Sequence, residues 1–170
     1  MKRRLSLLTA TAAALALVAL AAFVAVTKAE GPSGVTPLIL ARGHYDGFNI
    51  RSDPHGSIAD FRAHSTAPID IIVRQHDYAV GSTTGWHSHP GPIFITVTKG
   101  TLTYYEYDDP TCTPHVVSAD SPNNAFVDTG SGHVVRNLSG QPAQDISVIT
   151  APVGGVFRTN LDAPNPYCGF

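Results

Sequence analysis

From Glu30 onward, no segment of this chain keeps an apolar 3.6-residue period for three turns, and that limits the fold more than any other feature. In its place stand short β-branched runs broken by clusters of Gly, Pro, Asn and Asp, the pattern of strands joined by turns. The runs predict strands over residues 36–41, 69–80, 92–98, 101–107, 115–118, 124–127, 133–137 and 145–150. Lys99-Gly100 reads as a two-residue turn pairing the third and fourth of these as a hairpin. The pattern is weakest over residues 43–66, where Asp60-Phe61-Arg62 suggests a short helical turn. Many short strands with turn signals every ~8–12 residues predict an all-β sandwich or barrel.

The first thirty residues differ from the rest. Lys2, Arg3 and Arg4 precede an uncharged apolar run over residues 5–26. A basic start, an apolar stretch and small residues at Ala19-Leu20-Ala21 describe a secretory signal peptide. The same run, at ~1.5 Å per residue, is also long enough for an uncleaved membrane anchor. Both readings place the remaining chain outside the cytoplasm, secreted or held at the membrane by residues 5–26. The chain divides accordingly into a leader helix (1–29), an N-terminal strand and loop extension (30–66), a barrel (67–152) and a C-terminal tail (153–170).

Charge and cysteines follow from that division. The full chain has 11 basic and 13 acidic residues, a net charge of −2. Removing residues 1–29 takes away four basic residues and no acid, leaving 7 against 13 and a net −6. Such a surface offers nothing to a phosphate backbone, so nucleic acid is excluded as a partner, and a membrane is engaged only through the leader. In an oxidising compartment, Cys112 and Cys168 are expected to form a disulfide, tying the Pro-rich tail to the body. No nucleophile elbow, phosphate loop, dinucleotide fingerprint or pair of catalytic carboxylates is present.

The chemistry sits in the histidines. His87 and His89 are two apart, so on a strand both rings point to one face. Continuing the same parity gives Gly91, Ile93, Ile95 and Val97. The face with both imidazoles is therefore the one that turns apolar and inward, a setting suited to holding a divalent ion. A third candidate, His133, opens a predicted strand just after the Gly-rich turn Gly130-Ser131-Gly132.

At these residues the chain resembles the cupin superfamily of small jelly-roll β-barrels. The first cupin motif, G-x5-H-x-H-x3-E-x6-G, is matched in register by Gly81, His87, His89 and Gly100. The second, G-x5-P-x-G-x2-H-x3-N, is matched by Gly130, His133 and Asn137, with Pro122 and Asp128 replacing its first glycine and its proline. The resemblance implies a single cupin-type barrel after the apolar leader and a metal site at His87, His89 and His133. One departure matters. The motif's glutamate position holds Ile93, so three neutral imidazoles face the ion and leave its +2 charge uncompensated, which favours an anionic ligand in the open position. Glu106, the only glutamate after Glu30, is the one spatial substitute for that carboxylate.

The expected cofactor is a divalent transition metal, with Zn, Mn, Fe, Ni and Cu all compatible with imidazole ligands. The expected pocket residues are Trp86, Ile93, Ile95, Val97 and either Gln75 or His76, whose opposite parities leave the choice open. Trp86 also fits a packing role at the barrel mouth. His44, His55, His64 and His115 lie in polar, loop-like settings and are expected to face solvent. The family's range of chemistries implies three functions. One is an enzyme of dioxygenase, isomerase or lyase type acting on a small anionic or enolisable molecule. The second is a non-catalytic module binding a metal or small ligand. The third is a structural barrel that self-associates as a homodimer.

Overall fold

Along Ile93–Lys99, residues Ile93, Ile95 and Val97 are buried while Phe94, Thr96 and Thr98 are exposed. This two-residue alternation recurs along the chain and builds a β-barrel with one apolar inside. In a computed structural model, residues 28–52, 55 and 60–170 are described; the leader expected over residues 1–29 falls almost wholly outside them. Among the described residues twelve strands follow in order: β1 Ser33–Tyr45, β2 Phe48–Arg51, β3 Arg62–Ser65, β4 Ile69–Thr83, β5 His87–Ser88, β6 Ile93–Lys99, β7 Thr101–Glu106, β8 His115–Ser118, β9 Ala125–Asp128, β10 His133–Arg136, β11 Ala143–Pro152 and β12 Thr159–Asn160. Among the described residues, no helix is long and apolar enough to cross a membrane.

Ten strands form one sheet with the path β12-β5-β10-β4-β11-β6-β9, in which β1 adds to β4 while β7 links β10 to β8. The fifteen-residue β4 is the backbone of this arrangement, taking β1 on one edge and β11 on the other. The sheet curls into a nearly closed barrel, with β6 approaching β8. Inside lie Ile72, Tyr78, Ile95, Val97, Leu102, Tyr104, Val135 and Ile149, each at most 2% exposed. Burying one such aliphatic side chain stabilises the fold by about 1.5–3 kcal/mol.

Two local expectations are corrected. The strands flanking Lys99-Gly100 do not pair with each other: β6 pairs with β11 and β9, whereas β7 pairs with β10 and β8. Gly100 is instead a corner that carries the chain between two parts of the barrel. It has φ 68°, and a Cβ there would lie 2.8 Å from the Pro142 carbonyl oxygen, so only glycine fits. The helical turn at Asp60–Arg62 is also absent. Asp60 has φ 54°, and Arg62 opens β3, which forms a separate two-stranded sheet with β2.

The C-terminal segment is fastened to the barrel. Cys112 and Cys168 form a disulfide across a sequence separation of 56, a closure worth about 4 kcal/mol by loop entropy. Beside it, Asn165 Nδ2 donates to the carbonyls of Glu106 (3.0 Å) and Asp109 (2.8 Å). Trp86 Nε1–H donates to the Phe170 carbonyl at 2.8 Å, and the two rings stack.

Candidate metal centre

His133 opens β10 directly opposite His87 of β5 in the antiparallel register, and His89 follows two residues after His87. The turn before β10 brings the two motifs together. Gly130 accepts a hydrogen bond from the His89 backbone N–H (3.1 Å) at φ 102°, where a Cβ would lie 2.7 Å from the Gly91 carbonyl oxygen. No other residue permits so close a crossing. The resulting ring centroids are 4.4 Å apart for His87 and His133, 5.0 Å for His87 and His89, and 5.4 Å for His89 and His133. All three rings are buried, and one nitrogen from each lies within 4.8 Å of the others.

The hydrogen bonds decide which nitrogen faces the centre. His87 Nδ1–H donates to the Gly85 carbonyl at 2.8 Å, and His89 Nδ1–H to the Phe157 carbonyl at 2.7 Å. His133 Nδ1–H donates to the Asp128 carboxylate. Every partner is an acceptor, so each neutral ring carries its proton on Nδ1 and keeps the Nε2 lone pair free. His89 Nε2 is buried with no hydrogen-bond partner. A buried nitrogen held open in this way fits a metal ligand, and the tie from His133 to a carboxylate is the usual support behind one.

Electrostatics disfavour the charged forms of His87 and His89. Burial, reinforced by the neighbouring His133, holds His87 well below the ordinary imidazole range. The same two causes bring His89 down to about 4. Burial works to raise Asp128, but the bond to His133, the charge there and the Gly130 N–H outweigh it and hold the carboxyl below its ordinary value. The site thus lacks a carboxylate ligand, since Ile93 fills the glutamate position, yet keeps a negative charge directly behind one imidazole. Glu106 lies across from His133 in register but is not among the clustered ligands.

The three rings open onto a cavity of about 210 Å³ whose wall includes Ile93, Ile95 and Ile149. His76 lines it and Gln75 does not; Gln75 points outward and donates to Asp77. Trp86 and Val97 also lie outside the cavity wall. Trp86 packs against Tyr107 and Phe170, and Val97 belongs to the apolar core. Of the remaining histidines, His44, His55 and His64 are exposed, whereas His115 is half-buried against Phe126.

Four cavity or support residues were not singled out by the sequence. Asp128 was visible only as a mismatch at the motif's proline. Asp145 accepts from His76 Nδ1–H at 2.8 Å and from the Tyr78 hydroxyl at 2.7 Å; burial and then the Asp145 charge hold the Tyr78 phenol well above its ordinary value. Arg74 and Arg158 also line the cavity. Arg74 shares β4 parity with His76, which was its only signal; Arg158 lies in the irregular segment before β12 and gave none.

The family profile described as "Cupin domain" matches residues 75–149, a span that includes both histidine motifs. No curated protein matches the sequence. Among solved structures, the chain is similar to the polyketide cyclase RemF from Streptomyces resistomycificus, with 18% identity, 82% of this chain and 84% of that one covered, and a TM-score of 0.49. It is similar to an uncharacterised protein with a double-stranded β-helix domain from Klebsiella pneumoniae, with 22% identity, coverage of 52% and 72%, and a TM-score of 0.43. It is also similar to a conserved protein of unknown function from Streptococcus pyogenes, with 18% identity, 48% of this chain covered and a TM-score of 0.40; the match spans 65% of that protein's length. The paired motifs, the barrel built around them and the profile match identify residues 75–149 as a cupin domain.

Proposed function

We propose that this cupin is a metal-dependent enzyme that moves a proton on a small enolisable molecule, in isomerase- or lyase-type chemistry, with a divalent transition-metal ion held by the Nε2 atoms of His87, His89 and His133. The observation that carries the reading is the set of three buried imidazoles whose Nδ1 protons are all committed to acceptors. When bound, such an ion supplies Lewis acidity, polarising a carbonyl or enolate oxygen.

The other tasks fall to the chain itself. His76 stands in the cavity wall with its Nδ1–H directed to Asp145, which leaves Nε2 as the basic nitrogen. That arrangement suits a group that takes a proton from carbon and returns it to a neighbouring position. Asp145 fixes the tautomer and the orientation of the His76 ring. Ile93, Ile95 and Ile149 keep water away from the reacting centre. At about 210 Å³, the cavity is below the usual range for drug-sized ligands, which limits the substrate to a small molecule. The Cys112–Cys168 disulfide supports a place of action outside the cytoplasm.

Elemental analysis of protein purified without a histidine tag tests the metal. Near-stoichiometric transition metal is expected in the wild type, with its loss in His87→Ala. A wild type that carries none and takes none up from solution would end this reading.

A further inference from the structure

We infer that Arg74 and Arg158 form an anion-binding end of the barrel cavity, and that the molecule it takes is a small organic carboxylate, its carboxylate seated on the two guanidinium groups and its far end toward the three imidazoles. This rests on the cavity being the functional site, as proposed above, and names its substrate class.

The two arginines reach the cavity from different parts of the chain. Arg74 comes from the centre of β4 and Arg158 from the irregular segment just before β12. Arg158 is partly engaged: Nη2 donates to the Thr84 carbonyl at 2.6 Å, and Nη1 donates to Asn160. Arg74 is held only by its face, 5.3 Å above the Phe157 ring, and its buried Nε–H has no hydrogen-bond partner. Among the described residues, neither guanidinium makes an ion pair.

The acids nearby are already committed. Asp145, which also lines the cavity, accepts from His76 and Tyr78, and Asp128 is taken by His133 and the Gly130 N–H. Two cations therefore face one small cavity without a direct ion pair, the Asp145 charge acting on Arg74 without contact, an arrangement that a ligand's negative charge would relieve. Burial lowers both groups, and the Arg74 charge lowers Arg158 further, as expected of neighbouring guanidiniums.

The ligand class follows from shape. A guanidinium presents a planar fork of N–H donors that matches a carboxylate. The cavity volume corresponds to on the order of seven waters, and apolar side chains such as Val35, Ile95 and Ile149 form much of the remaining wall. A short aliphatic acid satisfies both ends, whereas an inorganic oxyanion would leave the apolar wall facing water. Phe157-Arg158 also links the two ends. The Phe157 carbonyl holds His89, its ring carries Arg74, and the next residue supplies the second guanidinium.

Calorimetric titration of the full chain with 2-oxopentanoate and with its neutral amide tests this, in chelator-treated and in zinc-loaded protein. The acid is expected to bind the metal-free protein roughly ten- to a hundredfold more tightly than the amide, from charge-assisted hydrogen bonds. Arg74→Gln and Arg158→Gln should each remove most of that preference, while Arg74→Lys should retain part of it. Equal binding of acid and amide, binding of neither, or a preference unchanged in both Gln variants would overturn the inference. If Arg74→Gln does not fold, Arg158→Gln and the acid–amide contrast on wild type decide the matter. Failure of zinc uptake would sink the metal reading alone, because the acid preference is measured without metal.

Discussion

Two hollows in this molecule differ in chemistry in the opposite sense to their size. The groove between the β2–β3 hairpin and the outside of the main sheet measures about 700 Å³ and is walled largely by apolar side chains, among them Phe48, Ile50, Phe61 and Phe94. The barrel cavity measures about 210 Å³ and gathers three imidazoles, a His–Asp pair and two guanidiniums. The groove has space, and its few polar lining residues, Arg62, His64, Ser65 and Thr150, stand outside the ligand cluster. In the cavity, backbone carbonyls and a carboxylate take up one nitrogen of each ring and thereby leave the other three available. What makes a site is the commitment of the groups behind it, and volume says little about that.

Acid should separate the two hollows most strongly. An unfolded chain protonates its histidines near 6.5, but His89 in the native protein does so only at about 4, and His87 is shifted in the same direction. Between these values the unfolded state binds more protons, so the stability of the metal-free protein falls as pH drops from about 6.5 toward 4. His89 alone accounts for about 3 kcal/mol of that fall. Urea unfolding at about pH 7 and about pH 4 should show it, and His89→Leu should reduce it. Phe94→Ala, in the groove, should leave the pH dependence as it is. A stability unaffected by His89→Leu at both pH values would contradict a buried neutral imidazole.

A smaller effect is expected from the layer behind the ligands. Asp128→Asn removes the anion that orients His133 while keeping its shape, and should weaken metal affinity roughly 10- to 100-fold in competition with a chelator. Phe94→Ala should leave that affinity unchanged. Equal affinity for Asp128→Asn and wild type would show that the His133–Asp128 bond does not tune the site.

These contrasts also mark what the sequence could convey. The spacing of His87 and His89, continued through Ile93, Ile95 and Val97, showed which face turns inward, because strand parity is a local property. The second motif placed His133 on the same site across 43 residues, since the family pattern records a tertiary contact that no local rule contains. The Gly100 corner was misread as a hairpin turn: a Lys-Gly dipeptide shows that the chain reverses, but not which strand it then joins. The choice between Gln75 and His76 needed the inward face of β4, which apolar residues on both parities conceal, Ile71 and Val73 on one and Ile72 and Tyr78 on the other. Asp145, Arg74 and Arg158 each matter through a partner distant in the chain, or through lacking one, and neither condition leaves a trace in spacing. Asp128 lies only five residues from His133, but a carboxylate in a turn does not by itself show which ring it supports.

The central claim is that three imidazoles, and no other side chains, hold the ion. X-ray absorption spectroscopy of the zinc-loaded protein, compared with His133→Ala, tests it most directly. The wild-type spectrum should show the scattering of three histidine rings and no sulfur, with the variant losing one ring or the metal altogether. A spectrum with fewer imidazoles, or one that His133→Ala leaves unchanged, would contradict it.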